Sequence, residues 1–262
     1  MFPLRDDIPT RTVPWVNYSI IAACVVVFSM QAASPDGGER SAFEYGMVPA
    51  RVTGLPPTPP PEPPSGHPEL RFPAFDEVPP PAISPWLTLF TCMFLHGGLM
   101  HIVGNMWFLY IFGDNVEDRY GHVGYALMYL GCGLAAGVLH IVSSPASPIP
   151  TVGASGAIAG VMGAYFVMFR HARVLTLIPL GIFTQLVAVP APFFLGIWFL
   201  FQLLSAAASS GVGGGVAWWA HVGGFAAGVG VTWLLGLVGR VPRGYVREYP
   251  LPAWQRRKLP WH

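Results

Sequence analysis

The chain is 262 residues long, with 53% hydrophobic residues, 10% charged residues and a formal net charge of +1. A mean hydropathy of +0.50 excludes an ordinary soluble domain and indicates a polytopic membrane protein. The near-neutral balance offers no footing for nucleic acid.

Residues 1–14 form a polar arm containing Pro3, Pro9 and Pro14. Trp15 and Tyr18 mark the interface at the start of a first span, 15–33, read as an uncleaved signal anchor in preference to a signal peptide. Residues 34–85 make a long external loop with thirteen prolines between Pro56 and Pro85. That density forbids a helix and predicts a polyproline-like spacer or disordered arm, with docking or substrate filtering as the alternative to a plain linker.

The core, 86–238, carries the remaining spans. A second span over 86–112 is followed by a short polar turn at 114–121, a third span over 122–142 and a tight loop at 143–152. The fourth span runs over 152–169. The stretch 174–189 is apolar but interrupted by Pro179, Gly181 and Thr184, so it is either a separate span or a re-entrant lead-in to a fifth span at 193–209. A GVGGG loop at 211–215, a last span over 216–238 and a basic tail at 239–262 complete the chain. Cys24, Cys92 and Cys132 each fall in an apolar stretch and are expected as small core residues, not as disulfides or metal ligands.

Charge decides the count. Lysine and arginine concentrate in the N-terminal arm, at 170–173 and in the tail, while the loops 143–152 and 210–215 hold none. Six spans put all three basic segments on the cytoplasmic side, whereas seven would place the tail outside. The expected fold is therefore an all-α, six-helix membrane bundle with both termini cytoplasmic.

Six spans also start segments two, four and six from the external side. Ser155 then lies near the start of span four and His221 near the start of span six, with His101 and Asn105 along span two. At about 1.5 Å per residue these groups share a layer roughly 5–15 Å below the external surface. Ala220, Gly224 and Gly228 form one stripe, and Gly156, Gly160 and Ala164 another beside Ser155, Ala159 and Gly163. Such small-residue faces let helix backbones approach closely, as a serine must to reach an imidazole at about 2.6–3.2 Å. By themselves the stripes are equally compatible with helix packing alone, Asn105 with an interhelical hydrogen bond, and His96 with a structural hydrogen bond at the helix mouth. Histidine and asparagine donors four residues apart, as at 101 and 105, suit a developing oxyanion. No carboxylate is expected within a span, which favours a Ser-His dyad over a triad.

These residues resemble the rhomboid intramembrane serine proteases. The resemblance rests on GASG at 153–156, AHVGGFAAG at 220–228, HGGLMHIVGN at 96–105 and GDNVEDRYG at 113–121, and covers roughly 86–238. It implies Ser155 as nucleophile, His221 as general base, and His101, Asn105 and the Ser155 N–H as oxyanion donors. It further implies Gly224 and Gly228 as helix-packing glycines, Glu117 and Gly121 as a structural turn motif, and His96, Gly153 and Gly156 as motif positions. The implied reaction is hydrolysis of a peptide bond in or beside a transmembrane helix of a membrane-protein substrate, without metal or cofactor. It also implies that the fifth helix and the loop after it gate access. The chain departs from the family at Ala159, where some members carry a tyrosine stacked beneath the histidine, and lacks a Trp-Arg pair in its first loop.

Three other readings compete. A metalloenzyme would use His96, His101 and His221 as ligands, a rhomboid-like protein would bind membrane clients without cleaving them, and a channel would need a charged stripe that no span carries. A bacterial inner membrane, with the site toward the external face, is the expected location.

Overall fold

A computed structural model describes residues 1–59, 75, 78–180, 183–208, 217–237 and 239. Most of the proline-dense part of the 34–85 loop, the GVGGG loop and nearly all of the basic tail lie outside the described residues. In chain order the elements are β1 (Phe2–Asp6), α1 (Trp15–Ala33), α2 (Glu39–Tyr45), α3 (Pro49–Thr53), α4 (Thr88–Thr91), α5 (Leu99–Ser143), α6 (Ser155–Met168), β2 (Arg173–Leu180), β3 (Phe183–Pro190), α7 (Ala191–Ala208) and α8 (Trp218–Leu237). The protein is mostly helical. Among the described residues α1, α5 and α7 are long and apolar enough to cross a membrane, and α6 is a shorter apolar helix.

At 45 residues, α5 would reach about 68 Å if straight, roughly twice the hydrocarbon thickness of a bilayer. It is not straight. Gly121 has φ 70° and ψ 162°, a conformation open to glycine and costly for other residues, and divides α5 into arms over 99–120 and 122–143. The polar turn expected at 114–121 is thus helical up to the glycine. Its carboxylates are used at the start of the chain: Val16 N–H and Asn17 N–H donate to the two oxygens of Glu117 at 3.0 and 2.7 Å. Glu117 is fully buried and satisfies N-terminal donors of α1 that have no partner within that helix. Thr10 donates to Asp114 and Thr12 to Asp118, tying the N-terminal arm to the same end of α5.

Two further expectations are corrected. The helix that carries His101 begins at Leu99 and not at 86, because Gly97 and Gly98 part the short α4 from α5; His101 consequently sits in the first turn of its helix. The stretch 174–189 is not a helical span but a β-hairpin, which makes the fold mostly helical and not all-α. β2 and β3 pair antiparallel from Arg173↔Pro190 to Leu180↔Phe183, and the N-terminal arm adds β1 as an outer strand, with Phe2↔Leu177 and Asp6↔Val174. Val174, Thr176, Ile178, Thr184, Val187 and Val189 suit a pleated surface, and Pro179 would interrupt a helix crossing alone. Asp6, the last residue of β1, is partly buried and accepts from Asn115 Nδ2 at 2.8 Å and from the Tyr165 hydroxyl. Burial pushes its carboxyl well above the usual carboxylate range.

The centre of the molecule is α6, buried continuously from Gly156 to Tyr165 between α5 and α8. A Cβ added at Gly224 would lie 1.9 Å from the Gly156 carbonyl oxygen, and one at Gly228 would lie 1.9 Å from that of Gly160. The two backbones therefore touch. The three cysteines are free and buried in this core. α7 lies against α8 with Phe193, Leu200, Phe201 and Leu204 exposed, a surface suited to lipid. Gly228→Ala is expected to force α8 away from α6 and to cost about 1–3 kcal/mol, read as a lower unfolding midpoint in detergent; an unchanged midpoint would contradict the packing described.

Candidate active site

The loop before α6 sets the position of Ser155. Met47 and Thr151 exchange backbone hydrogen bonds at 3.1 and 2.8 Å, and Gly153 N–H donates to the Cys92 carbonyl at 2.8 Å. Part of the 34–85 loop is thus structural, since residue 47 pins the segment leading to the serine. Gly153 has φ 127°, and a Cβ there would sit 2.8 Å from the His101 ring, so strain and contact both require glycine. Ser155 is the first residue of α6, with Ala154 as its N-cap, and its N–H has no acceptor within the helix.

His221 stands in the first turn of α8. Its Nε2 lies 2.7 Å from Ser155 Oγ and its Nδ1 lies 2.7 Å from Gln202 Oε1 on α7. An amide oxygen only accepts, so Nδ1 carries the proton and Nε2 is left to accept from the serine hydroxyl. The imidazole lies between Trp198 and Trp218, whose rings are 6.0 and 6.1 Å from it. Ala159 is buried on α6.

On α5, Gly97 N–H donates to His101 Nδ1 at 3.3 Å. That places the His101 proton on Nε2, the atom facing Gly153. One turn further, Asn105 is buried, and its Nδ2 has no hydrogen-bond partner among the described residues. The same Nδ2 would be 3.6 Å from a Cβ on Gly153. Two side-chain donors and the Ser155 N–H therefore border one small region beside Ser155. The starts of α5, α6 and α8 also meet there, and their positive dipole ends favour negative charge. A cavity of about 710 Å³ opens onto the site, bordered by His101, Asn105, Ser155, Trp198, Gln202 and His221.

The remaining sequence candidates fall outside this region or play other parts. His96 is buried with its ring edge-on to His101 at 5.3 Å. The hydrogen bond it makes is through its backbone N–H, to Gln31 Oε1 at 3.0 Å, while both ring nitrogens lack a partner among the described residues. Glu117 and Gly121 shape the start of α1 and the bend in α5, and Gly156, Gly224 and Gly228 form the α6–α8 contact. Among the described residues no three His, Cys, Asp or Glu side chains are grouped to hold a metal ion. Sequence reasoning passed over Gln202, Trp198 and Trp218. The available signal was an amide inside an apolar, aromatic-rich helix four residues after a tryptophan, since polar groups at membrane depth need a partner.

A helical membrane protein with a serine and a histidine in hydrogen-bond contact across two helices is the class that fold and site define. The model of the Rhomboid domain matches residues 84–238, more than half of the chain, and the protein belongs to the rhomboid family. Family members are integral membrane proteins; they include intramembrane serine proteases as well as rhomboid-like proteins that are inactive. The chain is similar to RHOMBOID-like protein 6, mitochondrial, of Arabidopsis thaliana, with 41% identity over 76 residues, 29% of this chain and 24% of that protein. It is similar to Rhomboid-like protein 11, chloroplastic, of the same plant, with 39% identity over 75 residues, 29% of this chain and 26% of the relative. The rhomboid protease GluP of Bacillus subtilis (strain 168) shares 39% identity over 79 residues, 30% of this chain and 15% of GluP. The matches span about a quarter or less of these relatives' own length.

The unpartnered Asn105 amide separates two roles for that side chain. An interhelical hydrogen bond would make its loss destabilising, whereas a free buried donor makes an apolar replacement neutral or favourable. Asn105→Leu is expected to leave the unfolding midpoint unchanged or raise it, by up to the roughly 1–3 kcal/mol that an unsatisfied buried group costs. A clear fall in the midpoint would show that Asn105 holds helices together.

Proposed function

We propose that the protein is an intramembrane serine endopeptidase working through a Ser155–His221 dyad. The observation that carries this reading is the 2.7 Å contact from Ser155 Oγ to His221 Nε2, beside the unpartnered Asn105 amide.

Ser155 gives its hydroxyl proton to His221 Nε2 as Oγ attacks the substrate carbonyl carbon. The resulting oxyanion accepts from His101 Nε2–H, Asn105 Nδ2–H and the Ser155 N–H, in the field of three helix starts. As the intermediate collapses, the departing amine takes the proton from Nε2 and the acyl group remains on Oγ as an ester. A water then gives a proton to His221 and attacks the ester. Release of the acid returns the proton to Ser155, so the cycle requires no outside oxidant, reductant or cofactor.

Substrates in this reading are membrane proteins cut in or beside a transmembrane helix. A helical carbonyl is already hydrogen-bonded and shielded by its own turn, so the cut bond must first leave the helix, and small or helix-breaking residues near the cut favour this. The six-span topology belongs to the same proposal. The helices α1, the two arms of α5, α6, α7 and α8 supply the spans. Pairing of β1 with β2 holds Arg5 and Arg173 in one sheet, in keeping with both basic segments facing the cytoplasm. The tail would join them there, and the site would open toward the external face of a bacterial inner membrane.

The test is fluorophosphonate labelling and cleavage of a model transmembrane substrate by the purified full chain. Ser155→Ala should abolish both, His221→Ala should abolish cleavage, and Asn105→Ala should lower kcat about 10²- to 10³-fold. Undiminished specific cleavage by the Ser155→Ala protein would overturn the proposal.

A further inference from the structure

We infer that Gln202 is the positioning residue of this site: from α7 it holds His221 in the tautomer that can take a proton from Ser155. The inference rests on the proposed dyad and adds the member that a dyad leaves unnamed.

Three observations converge on it. Gln202 is buried, at 5% exposure, on a helix otherwise built of apolar and small residues apart from Ser205, and its Oε1 is 2.7 Å from His221 Nδ1. Trp198, one turn earlier on the same helix, lies 6.0 Å from the same imidazole, and Trp218 meets that ring at 88°. α7 thus supplies both a wall and a hydrogen-bond acceptor, and the ring can neither flip nor turn about its long axis without losing one of them. Finally, the described carboxylates nearest the helix ends, Asp114, Glu117 and Asp118, are engaged by the N-terminal arm and the start of α1, so a charged orienting partner is not supplied by that turn.

The chemistry of an amide in this place differs from that of a carboxylate. The carbonyl accepts Nδ1–H while His221 is neutral, leaving the Nε2 lone pair directed at Ser155. When Nε2 takes the serine proton, the ring becomes cationic and the Nδ1–H···O bond becomes charge-assisted, hence stronger. Gln202 neither takes nor gives a proton, so the proton balance of the cycle is unaltered. Because acceptor and wall both ride on α7, the seating of α7 against α8 becomes a condition for a competent histidine. A displacement of α7 that widens the cavity also withdraws Oε1 from Nδ1.

The experiment compares Gln202→Leu, Gln202→Glu and wild type as purified full-length proteins, with kcat and KM on a model transmembrane substrate, the rate of fluorophosphonate labelling at Ser155, and unfolding midpoints. Leucine keeps much of the bulk and removes the acceptor; kcat and labelling rate should fall roughly 10- to 100-fold while KM stays within about twofold. Glutamate restores an acceptor and should recover most of the lost kcat. Nitrogen-15 NMR of His221 in the wild-type protein supplies a reading that needs no variant to fold: Nδ1 should be protonated and Nε2 bare in the resting enzyme. Three results overturn the inference: wild-type kcat in Gln202→Leu, equal loss in Leu and Glu variants matched by equal loss of midpoint, or an Nε2-protonated ring at rest. A wild-type protein that does not label at Ser155, with Ser155→Ala still cleaving, marks instead the failure of the dyad and removes the inference with it.

Discussion

Everything in this molecule depends on the bare contact between the backbones of α6 and α8. Gly224 and Gly228 face the carbonyls of Gly156 and Gly160 so closely that a methyl group has no room at either position. Without side chains between them, the first turns of the two helices come near enough for Ser155 and His221 to share a proton. Any larger residue would widen the gap by more than a hydrogen bond tolerates. The Ser155–His221 contact is in this sense a consequence of packing.

A second constraint acts from outside the pair. The start of α6 is held by the Met47–Thr151 exchange and by the Gly153–Cys92 bond, so the serine does not rest on its own helix alone. The far end of the bundle is tied by Glu117 at the start of α1 and by β1, whose Asp6 reaches Asn115 and Tyr165. α7 lies beside this supported pair with Phe193, Leu200, Phe201 and Leu204 turned outward. That helix carries Gln202 and Trp198, both beside the His221 ring.

Much of this was legible in the chain. The four motif stretches and the small-residue stripes followed from residue type and spacing, because helix periodicity and the cost of buried polar groups act locally. Other features were not. The hairpin at 174–189 reads as an apolar run with breakers, and its two halves pair with each other while β1, from the start of the chain, adds an outer strand. The bend at Gly121 looked like a polar turn because charged residues ordinarily mark solvent, yet Glu117 is buried by bonding to α1. Gln202 was overlooked because a single amide in an apolar segment has no local pattern; its partner is on another helix.

The sequence by itself determined that this is a membrane protein of several apolar helices and which serine and histidine to compare, since composition and period are properties of short stretches. Only the tertiary structure decided that Ser155 Oγ meets His221 Nε2, that Asn105 keeps an unpartnered amide beside them, and that Gln202 holds the other ring nitrogen. Those are distances between groups far apart in the chain, set by how closely two glycine faces can approach.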